Sequence, residues 1–362
     1  MSKLHTPLCD LLGIRLPIIQ APMASASSPA LVMAVSAAGA LGSFGCAYTQ
    51  PQTMLKEAAQ VRAFTNKPFQ LNFFVAPQPQ PVPEAGQRAA IDAVARYHTE
   101  LGLPAPIAVT PPFAPDLALQ LTAAREIRPA VISVHLADLP AQTIREFQAM
   151  GVRIGASATC VAEAKQLETL GVDYIIAQGG DAGGHRGTYL KDPYAAMTGT
   201  FSLTRILVRS VSTPIVAAGG IMDGAGIAAA LALGAQGVQM GTAFIPCPEG
   251  GAPEVHKRTL LAQQDDNSTI TEKFTGKPAR GIANRYIREA NTRNHPQLPF
   301  PIQGGLTGKL RAASSKVDNP DFAAMWCGQA ASLTRTMPAA QLVAALEAET
   351  LEALDRLVRL RN

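Results

Sequence analysis

The feature that most constrains the fold is an alternation that repeats from residue 17 to residue 244. Short apolar runs rich in Val, Ile and Phe are each followed by an Ala- and Leu-rich segment of helical length. The runs fall at 17–23, 40–45, 68–74, 131–136, 152–158, 174–178, 214–219 and 237–244. Runs of this kind suit strands covered on both faces, and strands alternating with helices read as βα units feeding a parallel sheet. Eight such units predict an α/β fold of the (β/α)8 TIM barrel type. The competing fold is a doubly wound open sheet, whose dinucleotide fingerprint G-x-G-x-x-G is absent after the first run.

Two segments interrupt the repeat. Residues 76–84 alternate with prolines, which favours an extended connection, and a helix is expected from there to about residue 101. Residues 246–301 are far more polar, with Asp265-Asp-Asn-Ser268 and many basic side chains. Both leave the carboxyl ends of strands, the face on which barrel active sites are assembled. The expected division is therefore a barrel of residues 1–75, 102–245 and 302–362, and a lid-like second domain of residues 76–101 and 246–301. In the closing segment, Leu342, Leu346, Leu351 and Leu354 stand at near-helical spacing and predict a helix on the outside of the barrel.

Charge and cysteine usage narrow the partners. A net charge of +4 over 362 residues, with no basic block, gives no support to nucleic-acid binding. Cys9, Cys46, Cys160, Cys247 and Cys327 are odd in number and lack a C-x-x-C pair, which suits a reducing compartment and argues against a disulfide framework or a metal site. Cytoplasm is the expected location. The N-terminus lacks the apolar stretch of a signal peptide, and no apolar run reaches the roughly 18 residues needed to span a membrane.

The chemistry concentrates at strand ends. The sixth run breaks at Gln178 into Gly179, Gly180, Gly183, Gly184 and Gly187, which surround His185. Glycines let a flat ligand approach the backbone, and the imidazole is the group here that exchanges a proton near neutral pH. The seventh run ends in Ala217-Ala-Gly-Gly-Ile-Met-Asp-Gly-Ala-Gly226 and the eighth in Gln239-Met-Gly-Thr-Ala-Phe244. Loops in these two positions commonly bind phosphate, and Gly219, Gly220, Gly241 and Thr242 are the residues such a site would use. The phosphate could belong to a substrate, to pyridoxal phosphate or to flavin mononucleotide (FMN). No strand end carries the Schiff-base lysine of pyridoxal chemistry. FMN is favoured by Met23 of Gln20-Ala-Pro-Met23, a thioether for a ring face, and by the amides of Asn72 and Gln178 for its polar edge. His135 is a second imidazole on the same rim, readable as a substrate contact or as a hydrogen-bonded core histidine. Asp181 and Arg186 are expected to pair structurally, and Arg280, Arg285 and Arg288 to form a solvated basic cluster on the lid.

Taken together, these motifs resemble the nitronate monooxygenases. The resemblance rests on Gln20-Ala-Pro-Met23 with Ser28-Pro29, Gly39-Ala-Leu-Gly42, Pro68-Phe-Gln-Leu-Asn72, Gln178-Gly-Gly-Asp-Ala-Gly-Gly-His-Arg-Gly187, the two glycine loops, and Trp326-Cys-Gly-Gln329. It implies noncovalent FMN in the barrel, with Asn72, Gln178, Gly183, Gly220, Gln239, Met240, Gly241 and Thr242 as contacts and His185 facing the substrate. It further implies oxidation of alkyl nitronates with dioxygen to carbonyl compounds and nitrite, extended to nitroalkanes if His185 removes the α-proton. Ala24-Ser25-Ala26 and Cys327 depart from the family pattern and bear on pocket size. The alternatives are an FMN-dependent NAD(P)H reductase, acting on enoyl-acyl carrier protein or a quinone, and a non-catalytic flavin-binding protein. Oligomeric state is left open.

Overall fold

All eight apolar runs become parallel strands of one sheet: β1 (Ile18–Gln20), β2 (Gly42–Gly45), β3 (Phe69–Phe74), β4 (Val131–His135), β5 (Arg153–Ala158), β6 (Tyr174–Gln178), β8 (Ile215–Ala218) and β9 (Gly237–Met240). A second, antiparallel sheet holds β7 (Gly184–His185), β10 (Ser268–Thr271) and β11 (Ala279–Ile282). The computed structural model describes residues 4–76 and 79–360. Pro77 and Gln78, inside the stretch expected to be extended, lie outside the described residues, as do the first three and last two.

The large sheet runs β1-β9-β8-β6-β5-β4-β3-β2. It closes just before β2, where Leu41 donates to Ile18 and accepts from Gln20, each at 2.9 Å. With helices between its strands, this is a TIM barrel. Strand alternation sorts the side chains. On β6, Tyr174 and Ile176 enter the barrel interior while Ile175 and Ala177 join the outer core under the helices. On β8, Val216 and Ala218 point inward and Ile215 outward. The amino end is plugged by the helix Pro7–Leu12, whose Leu8, Cys9 and Leu12 pack on Tyr174 and Val216. The Tyr174 hydroxyl donates to Gln70 at 2.6 Å, and a Cβ on Gly155 would lie 2.2 Å from the tyrosine ring, so only glycine fits there.

Strand ends are shorter than the apolar runs where the chain must turn into the mouth. The run 214–219 stops at Ala218 because Gly219 and Gly220 take φ of 124° and 68°. The run 237–244 stops at Met240, and Thr242–Phe244 form a 3-10 turn. The closing helix Ala339–Arg359 buries Leu342 and Leu346 against the barrel's outer core and leaves Leu351 and Leu354 partly covered.

A separate core lies above the mouth. It joins Ile91, Val94 and Tyr97 of the helix Glu84–Glu100 to Tyr286 and Ile287 of the helix Arg285–Thr292, and to Leu306 and Leu310 of the helix Ile302–Lys316. The helix Ile302–Lys316, placed with the barrel on sequence grounds, packs into this second core. β11 pairs with β10 on one side and with β7 on the other, His185 opposite Ala279, so the lid sheet takes its third strand from a barrel loop. Among the described residues, no helix is long and apolar enough to cross a membrane. All five cysteines are buried and free.

Candidate active site

The carboxyl ends of the barrel strands open into a cavity of about 500 Å³. Strand alternation decides what reaches it: Asn72 follows inward-facing Gln70, His135 follows Ser133, and Gln178 follows Ile176, each two residues on. Met23, Asn72, His135, Gln178 and His185 border this space, and so do Gly183, Gly219, Gly220, Gln239, Met240, Gly241 and Thr242. The expected site residues therefore come together, though not all through the atoms expected.

The rim after β8 and β9 is made of backbone. Among the described residues, none accepts a hydrogen bond from the N–H of Gly220, Gly241 or Thr242. Gln239 adds a buried Oε1 with no partner. Unmet donors beside an unmet acceptor are the complement of a ligand that carries both a phosphate and a hydrogen-bonding ring. Gly219 cannot be larger, because a Cβ there would lie 2.6 Å from Thr200 Oγ1 and 2.8 Å from the Ala182 nitrogen. The helix that follows takes no part in this rim, and one expected contact needs correction. The helix Gly224–Ala232 does not offer its N-terminus to an anion: Asp223 accepts from Gly226 at 2.9 Å, and Glu349 accepts from Gly224 at 3.1 Å. Met240 lies in the outer core with 1% exposure, so only its backbone can meet a ligand.

The rim after β6 is made of side chains. Gln178 spans the loop, its Nε2 donating to the His185 carbonyl at 2.9 Å and its Oε1 accepting from Gly187 at 2.7 Å. Its amide, expected at a flavin edge, is thus largely committed to the loop. His135 is committed at both nitrogens, with Nε2 on the His185 carbonyl at 3.0 Å and Nδ1 on Ser157 Oγ at 2.8 Å. A carbonyl can only accept, so His135 carries its proton on Nε2, and with both nitrogens bonded within the protein it fits the second of its two readings, a hydrogen-bonded core histidine. Desolvation by burial pushes it down to about 4, so it stays neutral. Asn72 spends its amide donors on the Ser133 carbonyl and hydroxyl at 3.2 and 2.9 Å, leaving its oxygen for a ligand.

His185 is buried among Phe74, Phe300 and Trp326, with ring centroids 5.6, 5.5 and 5.7 Å away. Its Nε2 meets Thr275 Oγ1 at 3.0 Å. Burial first, then the positive field of Lys277 and Arg311, lowers its pKa to about 3. The imidazole is therefore neutral at physiological pH.

Asp181 and Arg186 do not pair with each other. Asp181 accepts from the Thr200 backbone, and Arg186 donates to the carbonyls of Ala196 and Gln178. The basic cluster expected on a solvated lid face is also tied down. Arg280 donates to the Gly180 carbonyl at 3.0 Å, Arg285 pairs with Glu100 and Glu289, and Arg288 meets the Ala283 carbonyl.

Residues 5–349 match the model of the nitronate monooxygenase family. The chain belongs to the nitronate monooxygenase family. It is 41% identical over 358 residues to a nitronate monooxygenase of Paraburkholderia phytofirmans, with 98% of each chain covered. A nitroalkane oxidase from Streptomyces ansochromogenes superposes with a TM-score of 0.89 at 35% identity, covering 97% of this chain and 99% of that one. FabK from Thermotoga maritima superposes at 0.77 with 28% identity, covering 98% and 99%. The chain is accordingly an oxidoreductase of the nitronate monooxygenase type, a flavin-dependent group.

Sequence reasoning missed the lid's contribution to the cavity. Thr275, His256 and Arg311 border it from segments with no strand periodicity. Arg311 has Nε on Thr307 at 3.1 Å and one Nη on the Gly304 carbonyl at 3.0 Å, and among the described residues no carboxylate pairs with it. A lone arginine in a helix gives no sequence signal that it will border a cavity half-buried and without a counter-ion.

Proposed function

We propose that the chain binds FMN noncovalently at the barrel mouth and oxidises alkyl nitronates, and neutral nitroalkanes, with dioxygen to carbonyl compounds and nitrite. The observation that carries this reading is His185: a neutral imidazole, desolvated by three aromatic rings, beside a cavity whose adjoining rim presents unmet backbone donors. Gly220, Gly241 and Thr242 would hold the phosphate through their N–H groups, and Gln239 and Asn72 would address the ring's polar edge. When bound, the flavin supplies the electron acceptor for an electron-rich nitronate and the route to dioxygen.

The protein's own groups divide the remaining work. Neutral His185 can take the α-proton of a nitroalkane, a role that needs an unprotonated nitrogen. Proton transfer leaves an imidazolium beside the new nitronate, so the pair forms as the charge develops. A substrate already ionised brings its own negative charge, and the unpaired Arg311 supplies the matching cation. Phe74, Phe300 and Trp326 exclude water and favour alkyl groups. The free buried thiols fit a reducing compartment, and we place the protein in the cytoplasm.

The test is a pair of measurements on the yellow holoprotein. Aerobic oxygen uptake and nitrite release should follow addition of a pre-ionised alkyl nitronate, while NADH and NADPH under argon should leave the flavin colour unchanged. Rapid anaerobic bleaching by either nicotinamide, with no nitronate turnover, would replace this reading with the reductase.

A further inference from the structure

Among the described residues the ring of His185 has one polar partner, and that partner's own geometry decides which nitrogen carries the proton. Thr275 Oγ1 lies 3.0 Å from His185 Nε2 and 3.3 Å from the Lys277 carbonyl oxygen. A hydroxyl has one hydrogen, and a carbonyl can only accept, so donation to Lys277 turns the oxygen lone pairs of Thr275 toward the imidazole. The three rings around His185 offer no competing acceptor. We propose that Thr275 is a positioning residue that fixes the tautomer of His185, holding its proton on Nε2 and leaving Nδ1 as the nitrogen able to accept one from substrate. This rests on the reading of His185 as a base.

The fold holds Thr275 in place with little freedom. Thr275 is 2% exposed. Its own N–H and that of Gly276 both donate to the Glu272 carbonyl, at 3.2 and 2.7 Å. Gly276 has φ of 82°, and a Cβ there would lie 2.3 Å from the Leu298 oxygen, so the turn admits no other residue. Beyond it, the Pro278 carbonyl accepts from Arg186 at 2.8 Å, and Ala279 pairs with His185 across β11 and β7. The barrel therefore holds the backbone of His185 through Gln178 and His135, while the lid holds its ring through Thr275.

A hydroxyl in this place differs chemically from the carboxylate that often orients a catalytic histidine. A carboxylate orients the ring and also stabilises the imidazolium, raising its pKa, whereas a threonine hydroxyl orients without adding charge. The charged and titratable groups that face the ring are Lys277 and Arg311 from the lid and His135 from the barrel, none of them an acid. The charges of Lys277 and Arg311 therefore act in the same direction as burial and keep the resting base neutral.

The experiment is nitrogen-15 NMR of the holoprotein labelled at histidine, with the His185 signals assigned by their loss in His185→Asn. At neutral pH the wild-type ring should show a protonated Nε2 and an unprotonated Nδ1. Thr275→Val, close in shape but unable to accept, should give a mixed or inverted tautomer, and Thr275→Ser should restore the wild-type pattern. In steady state, Thr275→Val should lower kcat/KM for a neutral nitroalkane by roughly tenfold, the scale of one neutral hydrogen bond, with a smaller loss on the pre-ionised nitronate and recovery in Thr275→Ser. A wild-type ring protonated on Nδ1, or a Thr275→Val variant with unchanged tautomer and unchanged nitroalkane rate, would overturn the proposal. The NMR arm reads the tautomer without turnover. Its failure is thus distinct from failure of the base assignment, which equal losses on nitroalkane and nitronate in His185→Asn would signal.

Discussion

Around one barrel mouth, the loops after β8 and β9 present bare backbone, whereas the loop between β6 and β7 is fastened by side chains from two sides. In the first, Gly219 and Gly220 turn the chain so that N–H groups find no acceptor among the described residues. In the second, Gln178 and His135 grip the His185 carbonyl, and Glu163 accepts from Thr188, Tyr189 and Leu190 just beyond. A backbone rim is suited to a ligand whose charge and shape are constant, because it depends on conformation more than on side-chain identity. A side-chain rim can set a proton's position and the charge of one group, which is what proton transfer demands. On the proposed function, the first arrangement binds the cofactor and the second carries the proton transfer.

Four measurements can break or sharpen that division. The largest effect is expected from His185→Asn with a neutral nitroalkane as substrate, a loss of roughly 10² to 10⁴ in kcat/KM. The same variant should lose much less on the pre-ionised compound and should keep its flavin. Loss of flavin here would erase the distinction between the rims. Next is Gly220→Val, which should weaken FMN binding by about 10²-fold through lost hydrogen bonds to phosphate, with the barrel's circular dichroism unchanged. Stoichiometric flavin in this variant would remove the backbone rim from the cofactor site.

Arg311→Met should raise KM for an alkyl nitronate by about tenfold while changing KM for the neutral nitroalkane little, since only the anion uses the lost charge. Equal changes on both substrates would make Arg311 a packing residue. The smallest effect is on stability in acid. His135, His185 and His256 are held by burial at about 4, 3 and 4, below the ordinary 6.5. Between these values the unfolded chain binds more protons than the native one, so their contribution is fully present above about pH 6.5 and is lost as pH falls toward 4. Thermal melts should lose a few degrees from pH 7 to pH 5, and these groups should contribute no change from pH 7 to pH 8.5. A melting point that holds or rises on acidification would mean that the imidazoles are already charged in the native state.

The barrel was legible because its signals are local. A strand covered on both faces needs an apolar run, and a turn into the mouth needs glycine, so β6 with its following loop and β8 with Gly219 and Gly220 could be read directly. The lid was not. β7 has two residues, too few for any periodicity, and β10 is only half-buried along most of its length. The helix Ile302–Lys316 carries small and polar residues at Gly304, Gly308 and Ser315, and nothing in that pattern separates a lid helix from a barrel helix.

The sequence by itself determined the fold, the family, the position of His185 and the glycine rim, because each depends on residue type and spacing along the chain. Tertiary structure alone decided how those residues are used. Gln178 and His135 turned out to serve the loop, Met240 turned its side chain to the outer core, and the helix after β8 was capped by Asp223 and by Glu349 from a distant helix. Thr275 meets His185 across 90 residues of sequence. Such assignments follow from which donor finds which acceptor when a chain is packed and water is excluded, and partners that meet only after folding leave no pattern in the order of residues.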